Sequence, residues 1–543
     1  MPKTVRPEDS APPRAARIAL WLIGAAACAL FVAAATRFYF GPAFAALFNS
    51  DAAVPVLLAN EVLRTGNPLP ATWYFGNNEI WTLSPHVFAM PFVAALGISE
   101  LALKLGNLLC IGVAAFFLAL PLHRITRSWP YSLLVAAGVF AAFSGFQELV
   151  VYMQTAYGWF CGQFAILIYL AFRMQDEAGP EPWHLFRRVP WTTALYLLFL
   201  INLSVDSPSR AAAYWVFPAV AVAALFPYAK SRSWGFIAWT IAGLLAGIVL
   251  HEVISRHIRI QAGVLASVAP KSIGEWGTSF ARLVQSLPVM IGYAPRWYAW
   301  PFDGLGMFRI SFFAVAALAV LFVPAGEEPG SAACRFLARV SCAMLLGIFV
   351  LLVVSPLTVD AGAGRYLVPP ALLCLAALMA VLWIRLRTRA FAITAIAAIF
   401  MFAFCGGAVM LVPGSPLAFE RVCDAPGNVC RLSNLLSKAG LRRGYATYWK
   451  GNVTTVASGG TTQICGITLT PHLAPFRWLV SKDCFDHPSE DRYFIAFDRA
   501  EIARAGRDYL VGEAGRPDQV LTDPEHEVWI YTTAAANLDW LRR

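Results

Sequence analysis

Apolar runs of roughly 20 residues recur along this chain, and a helix of that length is what crosses a hydrocarbon core about 30 Å thick. The runs lie at 18–48, 99–123, 128–146, 150–172, 191–205, 211–229, 234–254, 308–323, 336–356, 366–384 and 390–412. About eleven membrane-spanning helices are therefore expected. A length of 543 residues would suit several water-soluble domains, but 58% hydrophobic and 14% charged residues are too many and too few for them. The first run follows Lys3, Arg6, Arg14 and Arg17. It exceeds the roughly 7–15 apolar residues of a signal peptide, so it reads as an uncleaved first span.

The net charge of +10 is a topology signal rather than a nucleic-acid signal, because no basic run is interleaved with aromatics. With a cytoplasmic N-terminus, every second loop carries a basic cluster: Arg124/Arg127, Arg173/Arg187/Arg188, Lys230/Arg232, Arg335/Arg339 and Arg385/Arg387/Arg389. That alternation requires residues 84–97 not to span; with two prolines in about 14 residues they read as an interfacial or re-entrant helix. An odd number of spans then puts the C-terminal part outside, and the expected location is the cytoplasmic (inner) membrane. Residues 1–412 form the membrane module, with exterior loops 49–98 and 255–305, and residues 413–543 a separate exterior domain.

In that tail, strand-like runs at Tyr445–Trp449, Tyr493–Phe497 and Val528–Thr532 and a helical stretch at Arg499–Ala505 predict a small α/β domain. Seven of the eleven cysteines lie in or beside apolar runs. The other four, Cys423, Cys430, Cys465 and Cys484, lie in the tail, where an oxidising compartment sustains disulfides. Cys423–Cys430 and Cys465–Cys484 are plausible pairs, although four cysteines allow three connectivities. No CxxC or Cys/His zinc spacing is present, nor a P-loop, a GxGxxG, an HExxH or a nucleophile elbow.

Polar residues gather in the exterior segments, and ionisable groups at membrane depth need a functional reason. Asp51 stands immediately after the first span, at the start of an apparent helix. Two readings fit it: a general base for an acceptor hydroxyl or amine, or a helix N-cap. Glu79 and His86 lie further along the same loop, and Asp206 and Arg210 share a short exterior turn. In the 255–305 loop, Arg256, Arg259, Lys271, Arg282 and Arg296 break the positive-inside pattern. They suit either a lipid phosphate or lipid head groups generally. Trp276, Trp297, Tyr298 and Trp300 read as an interfacial belt before a sugar platform.

The order Asp51, Arg64-Thr65-Gly66, Ser84-Pro85-His86 and Leu96-Gly97-Ile98-Ser99-Glu100 resembles the start of the GT-C superfamily of polyprenyl-phosphate-sugar glycosyltransferases, which includes protein mannosyltransferases and aminoarabinose transferases. The likeness covers roughly residues 1–125. Relatives often carry Lys-Pro-Pro where this chain has Ser84-Pro85-His86, and an Asp-Glu pair where it has Asp51-Ala52. The resemblance implies Asp51 as base, and a second acid on the turn between the third and fourth spans, which is Glu148. It also implies an Arg-Tyr-Leu-x-Pro at a span mouth, here Arg365-Tyr366-Leu367-Val368-Pro369, whose guanidinium suits bidentate phosphate binding.

The fold expected is thus an α-helical polytopic membrane protein, GT-C-like, with a small C-terminal α/β domain. The function expected is transfer of a sugar from a polyprenyl-phosphate donor to an envelope glycolipid, polysaccharide or protein, by inversion. Asp51 and Glu148 are the catalytic candidates, Arg365, Lys271 and Arg256 the donor-phosphate candidates, and His86, Glu79, Asp206 and Arg210 the substrate-binding candidates. No cofactor or metal is expected, with a cation shared by Asp51 and Glu148 left open. The bilayer and the lipid donor are the partners, without nucleic acid. An O-antigen polymerase or ligase using lipid-pyrophosphate-linked glycans is the alternative enzyme. A lipid-linked-sugar flippase ranks third, since no internal repeat stands out.

Overall fold

The computed structural model describes residues 14–141, 148–177, 191–226, 230–260, 271–290, 330–358, 361–406, 428–486, 492–532 and 539–542. Outside them lie the expected span at 308–323, the basic residues Arg187, Arg188 and Arg296, the aromatics Trp297, Tyr298 and Trp300, and Cys423.

Among the described residues, five helices are long and apolar enough to cross a membrane: Arg14–Phe40, Glu100–Thr126, Trp234–Ser255, Ser331–Val354 and Gly362–Leu386. Shorter apolar helices run over Trp129–Phe140, Trp191–Asp206 and Ala390–Phe404. The first helix ends at Phe40, earlier than the apolar run to Phe48 suggests. Gly41 breaks it because the following Pro42 disfavours helical backbone at the residue before it, and Pro42 opens a new short helix, Pro42–Leu47.

Residues 84–97 form a 12-residue helix, Pro85–Leu96. At 1.5 Å per residue it is about 18 Å long, too short to cross. Ser84 precedes it, and Gly97 ends it at φ +66° and ψ −167°, a conformation open essentially to glycine alone. Ser99 then accepts from the Ala102 N–H at 3.2 Å, and Glu100 pairs with Lys104. The Leu-Gly-x-Ser-Glu segment is therefore a helix stop followed by a helix start.

The chain divides into two compact units. One comprises Met1–Thr36, Cys110–His251 and Ser267–Ser415. It is helical, and small residues let its helices approach. A Cβ on Gly247 would stand 2.2 Å from the Ser204 Cβ, and one on Gly243 2.7 Å from Leu200, so these two glycines seat the Trp191–Asp206 helix. Helices Ser331–Val354 and Val368–Leu386 pack as a hairpin. Its turn, with Thr358 and Arg365, is at the end opposite Arg335, Arg339 and Arg385.

The other unit comprises Arg37–Leu109, Glu252–Ala266 and Pro416–Arg543. The C-terminal domain expected from 413 onward thus shares a compact unit with the first loop and part of the 255–305 loop. A three-stranded sheet is one reason. Strand β1 (Trp73–Phe75) pairs in parallel with β2 (Arg259–Ile260) and antiparallel with β6 (Val480–Ser481).

A six-stranded sheet has the order β5-β4-β3-β7-β9-β8. Its strands are β3 (Arg443–Thr447), β4 (Gln463–Thr468), β5 (Ala474–Pro475), β7 (Arg492–Asp498), β8 (Gln519–Thr522) and β9 (His526–Thr532). The centre, β4-β3-β7, is parallel. Side chains alternate between its faces. Tyr445, Tyr493, Ile495, Phe497, Trp529 and Tyr531 fill one core with Tyr74 of the first loop. Ala446, Phe494, Ala496, Val528 and Ile530 fill the other, under Leu432 and Leu436 of helix Asn428–Lys438. The expected α/β domain is present, with helix Arg499–Ala505 where the sequence puts it. Tyr448 and Trp449 are a correction: they begin helix Tyr448–Ala457 and do not extend the strand.

Cys465 and Cys484 are joined by a disulfide, as expected. Cys430 is also disulfide-bonded.

Candidate functional site

Helix Ser50–Thr65 begins with three residues, Asn49, Ser50 and Asp51, any of which is a competent cap by residue type. Asn49 takes the role. It is extended, and its side-chain oxygen accepts from the Ala52 N–H at 3.1 Å. Asp51 is left in the first helical turn, where the partial positive charge of the helix N-terminus favours a carboxylate.

Its neighbours are set by a distant part of the chain. The Tyr448 hydroxyl donates to Asp51 Oδ1 at 2.5 Å. The Ser50 hydroxyl donates to the Tyr448 carbonyl oxygen at 2.5 Å, and the Val453 N–H reaches the Ser50 oxygen at 3.4 Å. The starts of helices Ser50–Thr65 and Tyr448–Ala457 are thereby fastened to one another.

Burial pushes the Tyr448 phenol well above its ordinary value, and the negative charge and hydrogen bond of Asp51 push the same way. The phenol stays protonated and remains a donor at any ordinary pH.

Aromatic rings fix its position. Tyr448 meets Phe476 edge-on at 5.5 Å between centroids, and Phe476 stacks on Trp478 at 5.8 Å. Trp478 in turn lies over Gly76 of the first loop, where a Cβ would come within 2.8 Å of the indole. Trp449, 5.3 Å from Tyr448, is 62% exposed.

The far end of the same helix is held by charge. Glu61 is buried and accepts from Arg64 at 2.7 and 3.3 Å and from the Thr72 hydroxyl. Arg64 also reaches Asp483, beside the disulfide, at 2.9 Å. Gly66 closes the helix in the left-handed conformation at φ +65°. The Arg-Thr-Gly sequence is thus a helix end with an ion pair.

The remaining candidates divide between the units. In the unit containing Asp51, Glu79 is half-buried in a turn whose N–H donates to the Gly76 carbonyl at 3.0 Å. His86 opens the Pro85–Leu96 helix and is 2% exposed, with no hydrogen-bond partner for Nδ1 among the described residues. Arg256 is exposed just beyond helix Lys230–Ser255.

In the other unit, Lys271 Nζ donates to the Ser279 hydroxyl at 2.7 Å and to the Thr358 carbonyl at 2.8 Å. Arg282 reaches the same carbonyl at 3.4 Å. Helix Ile273–Met290 packs on the 3₁₀ turn Ala361–Leu367 that carries Arg365. The structure therefore gathers Lys271, Arg282 and the Arg365 turn at one end of the Ser331–Val354 hairpin. Arg365 itself lies 5.2 Å from the Tyr366 ring.

Arg210 stands over the Phe160 ring at 4.3 Å, and Asp206 is buried at the end of its helix. Glu148 opens a six-residue π-helical turn, Glu148–Met153; its side chain lies outside the described residues. No group of three or more His, Cys, Asp or Glu suited to a metal occurs among the described residues.

Sequence reasoning missed Tyr448. The signal available was its place just past the carboxyl end of a central strand, where α/β folds commonly present functional groups.

No protein-family model matches the chain, and no curated protein sequence matches it. Among solved structures, it is similar to the crystal structure of ArnT from Cupriavidus metallidurans bound to undecaprenyl phosphate. The identity is 10%, the TM-score 0.48, and the likeness covers 95% of this chain and 98% of that one.

Proposed function

We propose that this protein is a membrane glycosyltransferase that moves a sugar from a polyprenyl-phosphate donor to an envelope acceptor on the exterior face. The observation that supports it best is the state of Asp51. It is relieved of the capping role by Asn49, and one of its oxygens is held by Tyr448. A carboxylate not spent on the helix cap is suited to accept a proton.

In this reading the acceptor hydroxyl gives its proton to Asp51 as its oxygen attacks the anomeric carbon. The bond from that carbon to the phosphate oxygen breaks, and the electron pair leaves with the polyprenyl phosphate. One displacement inverts the centre and needs no enzyme nucleophile, in keeping with the lack of a nucleophile motif. Arg365 and Lys271 are the proposed counter-charges for the leaving phosphate. Lys271 commits two of its three N–H groups within the described residues. Glu148 would orient the acceptor.

The lipid profile of a strain lacking the gene tests this reading. A transferase predicts polyprenyl-phosphate-sugar accumulating on the exterior leaflet. Accumulation on the cytoplasmic leaflet instead would identify a flippase, and an unchanged profile would remove the donor class.

A further inference from the structure

Helix Ile273–Met290 carries three kinds of residue on three sides. Ser279, Leu283 and Ser286, at i, i+4 and i+7, are buried against the protein. Thr278, Arg282 and Gln285, at the same spacing, are exposed on a polar side. Ile273, Trp276, Phe280 and Val284, at i, i+3, i+7 and i+11, make an exposed apolar stripe beside the buried side. An exterior loop over 255–305 would leave that stripe in water, where apolar surface is unfavourable.

Contacts within the same unit fix the depth of the helix. The Lys271 N–H donates to the carbonyl of Val354, the last residue of the span Ser331–Val354, at 3.0 Å. The helix thus starts level with the end of that span. Phe280 then meets Phe349 edge-on at 5.7 Å between centroids. Phe349 lies five residues before Val354, about 7 Å back along the span from its end. Amphipathic helices at a bilayer surface bury their apolar side to a depth of about 5–10 Å. Leu346 and Val350, either side of Phe349 in sequence, are exposed on this membrane-spanning helix, so the stripe adjoins an apolar outward surface below the end of the span.

The residues at the boundary have the chemistry of a membrane interface. Lys271 stands where the span ends, and Trp276 follows within the first helical turn. The Trp276 Nε1–H donates to the Lys271 carbonyl at 3.0 Å, so the indole can enter a medium without hydrogen-bonding groups while its donor is met. Lys and Trp at this depth are the usual interfacial anchors.

We propose that helix Ile273–Met290 lies in the membrane surface at the turn end of the hairpin, with Ile273, Trp276, Phe280 and Val284 among the acyl chains and Thr278 and Gln285 toward water. The alternation of basic loops makes that leaflet the exterior one. Acyl chains are the occupant because the stripe sits below the end of a span and beside its outward residues. The segment read as a loop is then partly membrane, and Lys271 stands at the depth of lipid head groups. The inference is independent of the transferase reading.

Lipid photo-crosslinking of the full-length protein tests it, in vesicles of phosphatidylethanolamine and phosphatidylglycerol. A benzophenone amino acid replaces Phe280, Val284, Thr278 or Gln285 singly, with Val350 of the span as the reference position. After irradiation the adducts are identified by mass spectrometry. Phe280 and Val284 should give phospholipid adducts in the yield of Val350, and Thr278 and Gln285 roughly tenfold fewer. Val284 carries the test alone where the variant at Phe280, which meets Phe349, does not fold. A lipid yield at Val284 no higher than at Thr278 would overturn the proposal. So would adducts from the stripe chiefly to a second copy or to another segment of this chain.

Discussion

Cutting the Cys465–Cys484 bridge tests where the C-terminal part of the chain resides and how the site is held. The bridge joins β4 to the segment after β6, over a sequence separation of 19. The loop it closes carries Phe476 and Trp478, the rings behind Tyr448, and Val480–Ser481, which pair with β1. In the chain-entropy account, closing a loop of that length restricts the unfolded state by about 3 kcal/mol. For a cooperative unit of roughly 200 residues, 1 kcal/mol moves a melting midpoint by about 3 °C. The double variant Cys465→Ala/Cys484→Ala should therefore melt about 10 °C lower than the parent. Added reductant should lower the parent to the same point and leave the variant unmoved. Transfer activity should fall with the loss, because the loop that backs Tyr448 is the one released. The assay is thermal unfolding of the full chain in detergent, with maleimide labelling of the denatured protein to count free thiols. Two labelled thiols at these positions in protein purified without reductant, and a midpoint indifferent to reductant, would refute both the bridge and the oxidising exterior location.

Other outcomes follow from the charges. Arg365→Lys retains the positive charge but loses the planar fork, so competition by added polyprenyl phosphate should weaken roughly tenfold, and Lys271→Ala should behave similarly. Equal competition in parent and both variants would remove these residues from the phosphate site. The two ion pairs of Arg64 should differ in worth. Asp483→Ala, breaking a pair with both partners roughly half-exposed, should cost under about 1 kcal/mol. Glu61→Ala, which strips the partners of Arg64 and Thr72 at a buried site, should cost about 2 kcal/mol. Thermal midpoints in low and high salt check both, and a larger loss for Asp483→Ala would contradict the assignment.

Much of the fold is legible in the sequence, because length and periodicity are local properties. The helix at Pro85–Leu96 could be denied a crossing from two prolines and its span alone, and β7 and β9 follow from short runs rich in aromatic and β-branched residues. The end of the first helix was obscured because the residues after Gly41 stay apolar, so composition hides a break that Pro42 imposes. Strand β3 lies two residues earlier than the sequence suggests, since Tyr448 and Trp449 favour strand by residue type and no glycine or proline marks the turn into helix at Tyr448. Strands β1, β2 and β6 are two or three residues each, below the length at which alternation can be read. The same limit hid the grouping of the first loop with the C-terminal domain. At the site, Asn49, Ser50 and Asp51 are equivalent as caps by residue type, so only geometry could release Asp51 from that role. Its partner Tyr448 is 397 residues away, beyond any local pattern.

The central claim is that Asp51 removes the acceptor proton, and the direct measurement is sugar transfer by Asp51→Asn in native membranes supplied with donor lipid. General-base catalysis contributes roughly 10²–10⁴-fold, so the folded variant should be slower by that factor, with competition by added polyprenyl phosphate unchanged from the parent. A folded Asp51→Asn that transfers sugar at the parental rate would contradict the account.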